Sequence, residues 1–354
     1  MRNGSLLFIA LLSLIFTSCH QEKNELPDFK NAQLLAVVDS IDIESLGILN
    51  PHIIRYYNDV LVFNTATGEE EMHFLDLHDL SVIEKKVIGP GPNQVSSDYE
   101  FVASPSKNTF YYRDVNKLDV YSFNIDSLRE NPAMEQKWLY QIPKKKGVAF
   151  VIMPLDIGRY VYYTGLYTSG ENWIYCYDKQ TQEFRAFGNF PQYAGTEDLE
   201  LLTKSSLFAG MGKATNGKRL TLCHFGTLDF YDITEDGGLR MFREHHYFLP
   251  EIELYPNGSF RYKGESSKWG FSSCIASDEG NIYLLYSDKL INDNREQNAE
   301  YLFIYDWNGD PVKQYALEKP LYDLAVDGTS LYGLSREKEP IVYIYDLKDL
   351  QKEK

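Results

Sequence analysis

The sequence predicts an all-β protein: a six-bladed β-propeller of four-stranded antiparallel blades, its ring closed by the N-terminal strand. Three observations lead there. A short aromatic motif returns six times, each copy follows a second strand-like run, and the last unit is one strand short.

The motif alternates apolar and aromatic residues and ends in an acidic or turn residue. Its copies are His73-Phe74-Leu75-Asp76, Asp119-Val120-Tyr121-Ser122, Tyr175-Cys176-Tyr177-Asp178, Asp229-Phe230-Tyr231-Asp232, Phe303-Ile304-Tyr305-Asp306 and Tyr343-Ile344-Tyr345-Asp346. Five end in Asp, and the second carries Ser122 instead. Alternate residues of a strand point to opposite faces, so the tyrosines pack between blades while the aspartates bond turn amides.

Before each copy lies a second run, as in Val60-Leu61-Val62-Phe63, with counterparts at 109–112, 160–163, 220–223, 281–285 and 330–334. Turn residues such as Asn216-Gly217 and Glu279-Gly280 precede these runs and supply the positive φ that tight hairpins need. An inner run precedes that turn, as at 270–276 and 321–326, and an outer run follows the motif, as at 82–88 and 312–317. The unit is therefore four antiparallel strands. With 27 Tyr and 20 Phe the chain is well supplied for sheets packed face to face. The sixth unit stops after its third strand, and the run from Gln33 to Ile41 has no unit of its own. Placing that run as the outer strand of the last blade closes the ring and removes an open edge. A pair of β-sandwiches is the rival architecture. Helix is expected only as a turn near Asp126 to Glu130.

The N-terminus reads as an address. Met1-Arg2-Asn3 leads into an apolar run from Leu6 to Phe16, too short to span a bilayer, followed by Thr17-Ser18-Cys19. Small residues directly before a cysteine resemble a bacterial lipoprotein signal. That resemblance implies cleavage before Cys19, lipidation of its thiol, and membrane attachment through it. Residues 1–18 are then the signal, 19–31 a polar tether, and 32–354 the propeller. No Asp follows Cys19, which points to the outer membrane, facing either the periplasm or the cell exterior.

Charge excludes some partners. Against 35 Lys and Arg stand 51 Asp and Glu, a net of −16, so nucleic acid is not an expected partner. Cys176, Cys223 and Cys274 each lie in an apolar or strand-like run without zinc-knuckle spacing, and read as buried thiols. No cofactor or metal site is expected. The adjacent His245 and His246 would point to opposite faces of a strand and could not readily share one ion.

The stretch Val87-Ile88-Gly89-Pro90-Gly91-Pro92-Asn93-Gln94-Val95 sits between the first two units. It is no phosphate cradle, because its prolines lack the N–H groups a cradle needs. It ends the outer strand of blade one, and Asn93 and Gln94 could face a rim of the ring. The lipoprotein signal, the six-fold Tyr-Asp repeat and this Gly-x-Gly-Pro-x-Gln segment resemble the TolB-like six-bladed propeller lipoproteins of Bacteroides-type bacteria. Many of those have Glu where Gln94 stands. The resemblance implies fold and address over about residues 32–350 and carries almost no function.

Two functional readings follow. The first is a non-catalytic binding or scaffold module that holds an envelope protein, peptide or glycan; no clustered catalytic motif is found. The second is a hydrolase or lyase acting on a sugar, lactone or peptide in an axial pocket. Candidate ligand-binding residues are His52, Arg55, Asn93, Gln94, Glu100 and Asp323.

Overall fold

The structure, a computed structural model, describes residues 26, 32–65, 71–89, 91, 94–96, 98–104, 106–190, 199–208, 212–256, 259–293, 297–336 and 338–348, apart from the side chains at 71 and 272–274. The signal segment, Cys19, most of the tether and Asn93 lie outside them.

Six four-stranded antiparallel blades follow one another along the chain. Blade one is Pro51–Tyr57, Val60–Thr65, Glu71–Asp76 and Val82–Lys86 from inside to outside; blade two is Tyr99–Val102, Thr109–Asp114, Asp119–Asn124 and Lys137–Gln141. Blade three is Val148–Asp156, Tyr160–Tyr167, Asn172–Asp178 and Glu183–Asn189. Blade four is Gly212–Thr215, Arg219–His224, Gly226–Ile233 and Leu239–Phe248. Blade five is Lys268–Ser277, Asn281–Leu290, Ala299–Asp306 and Pro311–Leu321. Blade six has only Asp323–Val326, Ser330–Ser335 and Ile341–Asp346 from its own stretch. Around the axis the first strands of blades two to six pack each against the next, and that of blade six against that of blade one.

Val37–Asp42 supplies the missing strand, pairing antiparallel with Ile341–Asp346. The expected closing run is nevertheless split. Gln33–Leu35 pairs parallel with residues 315–317, at the outer edge of blade five, before the chain crosses to blade six. At the crossing Glu318 accepts the Val37 N–H at 2.9 Å, and Leu35 is buried in the core between these blades. One strand cannot lie in two blades, so the run divides where it meets the seam.

The core is distributed among the seams. Buried apolar clusters lie between blades one and two, across two to four, between four and five, between five and six, and between six and one. Tyr231 packs toward blade three, Tyr305 toward blade four and Tyr345 toward blade five, so the repeated tyrosine serves the preceding seam. The aspartates cap turns: Asp76 accepts the His78 N–H at 2.9 Å, and Asp178, Asp306 and Asp346 accept from Gln180, Asn308 and Lys348 at 2.8 Å. Asp232 departs from this and pairs with Arg219 and Arg240.

Blade two corrects the repeat by two residues. Asn124 stands opposite Thr109, the first residue of the second strand, as Asp346 stands opposite Ser330 and Asp178 opposite Tyr160. The acidic slot therefore belongs to Asn124 rather than Ser122. Asn124 caps the helix Ile125–Glu130 by accepting from Ser127 N–H. Leu201–Phe208 is a helix that the sequence reading did not foresee. It inserts Leu207 and Phe208 into the core beside blade three, and Ser205 Oγ accepts the Tyr167 N–H at 3.0 Å. No helix among the described residues is long and apolar enough to cross a membrane.

Antiparallel strands sort the connections between two rims. Links from first to second and from third to fourth strands share one rim; links from second to third strands and between blades share the other. The first rim carries mostly tight turns, with the helix Ile125–Glu130 as its exception. The second carries the helix Leu201–Phe208 and the hairpin Ile252–Leu254 with Phe260–Tyr262.

Candidate functional site: the axis and the broad rim

Charged residues on the inner strands join neighbouring blades. Asp323 opens the inner strand of blade six, is buried, and accepts from Arg55 and from the Ile54 N–H, both at 2.9 Å and both on blade one. Glu100 of blade two pairs with Arg113, directly opposite on the next strand, at 2.6 Å. Glu100 also accepts the Met153 N–H at 2.9 Å, while Arg113 donates to the Val151 carbonyl at 2.7 Å, so the pair grips blade three. Lys213 of blade four donates to the Ile152 carbonyl at 3.3 Å. Burial outweighs the attraction of Glu100 and pushes the Lys213 ammonium down to about 7. Glu100, Arg113 and Lys213 thus meet where blades two, three and four converge.

On the second rim, the broader one because it carries the helix Leu201–Phe208 and the hairpin Ile252–Leu254 with Phe260–Tyr262, the seam between blades six and one has a different character. Arg336 follows the second strand of blade six. It faces His52 Nδ1 at 2.9 Å and Asn50 Oδ1 at 2.7 Å, and lies 4.7 Å over the Tyr322 ring. A guanidinium only donates, so His52 Nδ1 accepts and the ring proton sits on Nε2. Burial, and then Arg336, lower the His52 pKa and hold the ring neutral. Arg336 is the one arginine among the described residues without a carboxylate partner; each of the others faces an Asp or Glu. In so acidic a chain, a cation stacked on an aromatic ring with no described carboxylate beside it suits a carboxylate or another anionic group.

The sequence candidates therefore fall into separate places. Arg55 and Asp323 form one clamp, Glu100 belongs to another, and His52 lies on the rim with Arg336. Gln94 folds back into its own loop, where its side-chain oxygen accepts the Gly91 N–H at 2.9 Å. The Gly89 N–H donates to Val95 O and the Val95 N–H to Val87 O, closing the loop. Neither Gly89 nor Gly91 has a positive φ; a side chain at either would run into the Gln94 carboxamide. The glycines make room for Gln94 and are not needed to reverse the chain. Sequence reasoning missed Arg113, Lys213 and Arg336. For Arg113 the signal was cross-strand register with Glu100; for the other two it was position at strand ends facing a seam. Cys176 and Cys223 are buried and outside any disulfide, as expected of small apolar side chains, while the side chain of Cys274 lies outside the described residues.

Residues 27–329 match the model of the TolB-like 6-blade propeller-like family. Among solved structures, a member of the duf4221 family from Bacteroides vulgatus is similar at a TM-score of 0.55 and 10% identity, covering 89% of this chain and 98% of its own. A protein of unknown function from Bacteroides thetaiotaomicron has a TM-score of 0.49 at 15% identity, over 88% of this chain and 73% of its own. At 10% identity the likeness to the first of these is one of fold. No curated protein matches the chain. Since the family match runs from the start of the described region into the last blade, the chain belongs to the TolB-like 6-blade propeller-like family.

Proposed function

We propose that the protein is a non-catalytic binding module of the bacterial cell envelope, anchored through a lipid on Cys19. It would hold an envelope protein, peptide or glycan against the broad rim where blades six and one meet. The carrying observation is Arg336, fixed by His52, Asn50 and Tyr322 and lacking a carboxylate partner among the described residues. The acids named as candidates at the axis, Glu100 and Asp323, are by contrast engaged in bonds that join blades. Placement in the envelope, on the outer membrane, rests on the N-terminal signal pattern ending at Cys19.

The test is affinity capture from solubilised envelope using the lipidated protein. A partner carrying an anionic group should be enriched on the wild type and lost with Arg336→Gln. The reading fails if nothing is enriched while the purified protein turns over a panel of glycans, lactones or peptides. That outcome would favour a hydrolase or lyase. One observation supports the latter: Lys213, its pKa brought down to about 7, is the inner-strand group best poised to act as a base near neutrality.

A further inference from the structure

Blade four holds a group of side chains unlike the other charged clusters. Asp229 lies on its third strand, directly opposite Glu244 on the outer strand, and His246 lies two residues further along the same face. Like charges directly opposite one another across a ladder are destabilising. One of these two carboxylates, moreover, is buried: the Asp229 side chain is 3% exposed. The other buried aspartates, Asp114, Asp156, Asp178 and Asp323, each face a Lys or Arg. Asp229 alone among them faces an imidazole and a second acid.

The spacing is poor for an ion pair and good for a metal ion. His246 Nε2 lies 3.3 Å from Asp229 Oδ1, longer than a charge-assisted hydrogen bond of about 2.7–2.9 Å. It lies 3.7 Å from Glu244 Oε2, and the donor atoms of all three residues fall within 4.8 Å of one another. Donors about 2.0–2.2 Å from a tetrahedral ion stand about 3.3–3.6 Å apart. The two separations from His246, 3.3 and 3.7 Å, lie close to that edge length, and among the described residues the Asp229 carboxylate makes no other hydrogen bond.

We propose that Asp229, Glu244 and His246 form a binding site for Zn2+. Imidazole with two carboxylates suits this ion better than Mg2+ or Ca2+, which prefer all-oxygen sets. The ion would neutralise the opposed carboxylates and tie the outer strand of blade four to its neighbour. The fourth position would open on the side of Glu244, the more exposed ligand, for water or a partner's side chain. His245, on the opposite face, takes no part; its Nε2 lies 2.7 Å from the Gly309 carbonyl.

Isothermal titration of the full chain with zinc chloride at pH 7.5 tests the site. The wild type should take up one equivalent and melt at a higher temperature when loaded. His246→Gln and Glu244→Gln should each lose both the heat and the shift, with circular dichroism confirming that they fold. Glu244 is partly exposed, so its variant decides the matter if His246→Gln is unstable. No uptake by the wild type overturns the proposal. Undiminished uptake by a folded variant also overturns it, because the ion would then lie elsewhere.

Discussion

At the scale of single residues the decisive groups are charges that bridge seams. Removing one member of a buried pair strands the other. Arg113→Met should therefore cost about 3–5 kcal/mol, read from urea unfolding, whereas Arg113→Met with Glu100→Gln should recover much of that loss. If the double variant is no better than the single one, the pair is not the seam clamp described above. His224 offers a test by pH. Its ring lies against Phe208 and Phe225, and burial lowers its pKa from 6.5 to about 4. The fold keeps the ring neutral, whereas the unfolded chain takes up a proton below about 6.5. Its contribution is thus fully present above pH 6.5 and is lost as pH falls toward 4. Between pH 7 and pH 4.5 the wild type should lose more stability than His224→Gln; parallel losses would refute this. Arg55, Glu100 and Asp323 were legible as inner-strand residues because strand position follows from the repeat. Their partners were not, since Arg55 and Asp323 are 268 residues apart and only ring closure brings them together. The same holds for His52 and Arg336.

At the scale of elements the loop between blades one and two gives a clean test. Gly89→Ala should push the Gln94 carboxamide aside and forfeit its bond to Gly91 N–H, at a cost of about 0.5–1.5 kcal/mol. Gln94→Ala forfeits the same bond. The two changes should therefore be non-additive, the double variant costing little more than either alone; full additivity in urea unfolding would sink this account. The sequence could not disclose this use of glycine, because nothing local says what packs against it. The strands themselves were readable, since alternation and hairpin turns are local signals. Register in blade two was not: a helix replaces the tight turn after Asn124, and the missing Asp drew the repeat to Ser122. The helix Leu201–Phe208 escaped notice because about two turns contain too little periodicity to register as a helix.

At the scale of the whole molecule, stability depends on closing the ring. A chain beginning at residue 43 would lose both N-terminal strands and bare the edges at residues 315–317 and 341–346. It should melt at a lower temperature than a chain beginning at residue 32 and self-associate on size-exclusion chromatography through those edges. A monomer of unchanged melting temperature would show the closure to be dispensable. Six blades and the closing strand were foreseen because the repeat and its deficit are global features of the sequence. The division of that strand between two blades was not, because it depends on where the chain crosses a seam.

That division has a mechanical meaning. Tension arriving through the N-terminal segment would reach the short parallel tongue on blade five before the longer antiparallel one on blade six. The first could slip while the second still held the ring shut. A moderate tug would then lengthen the leash by a few residues without unfolding the body, much as a two-stage latch gives before it opens.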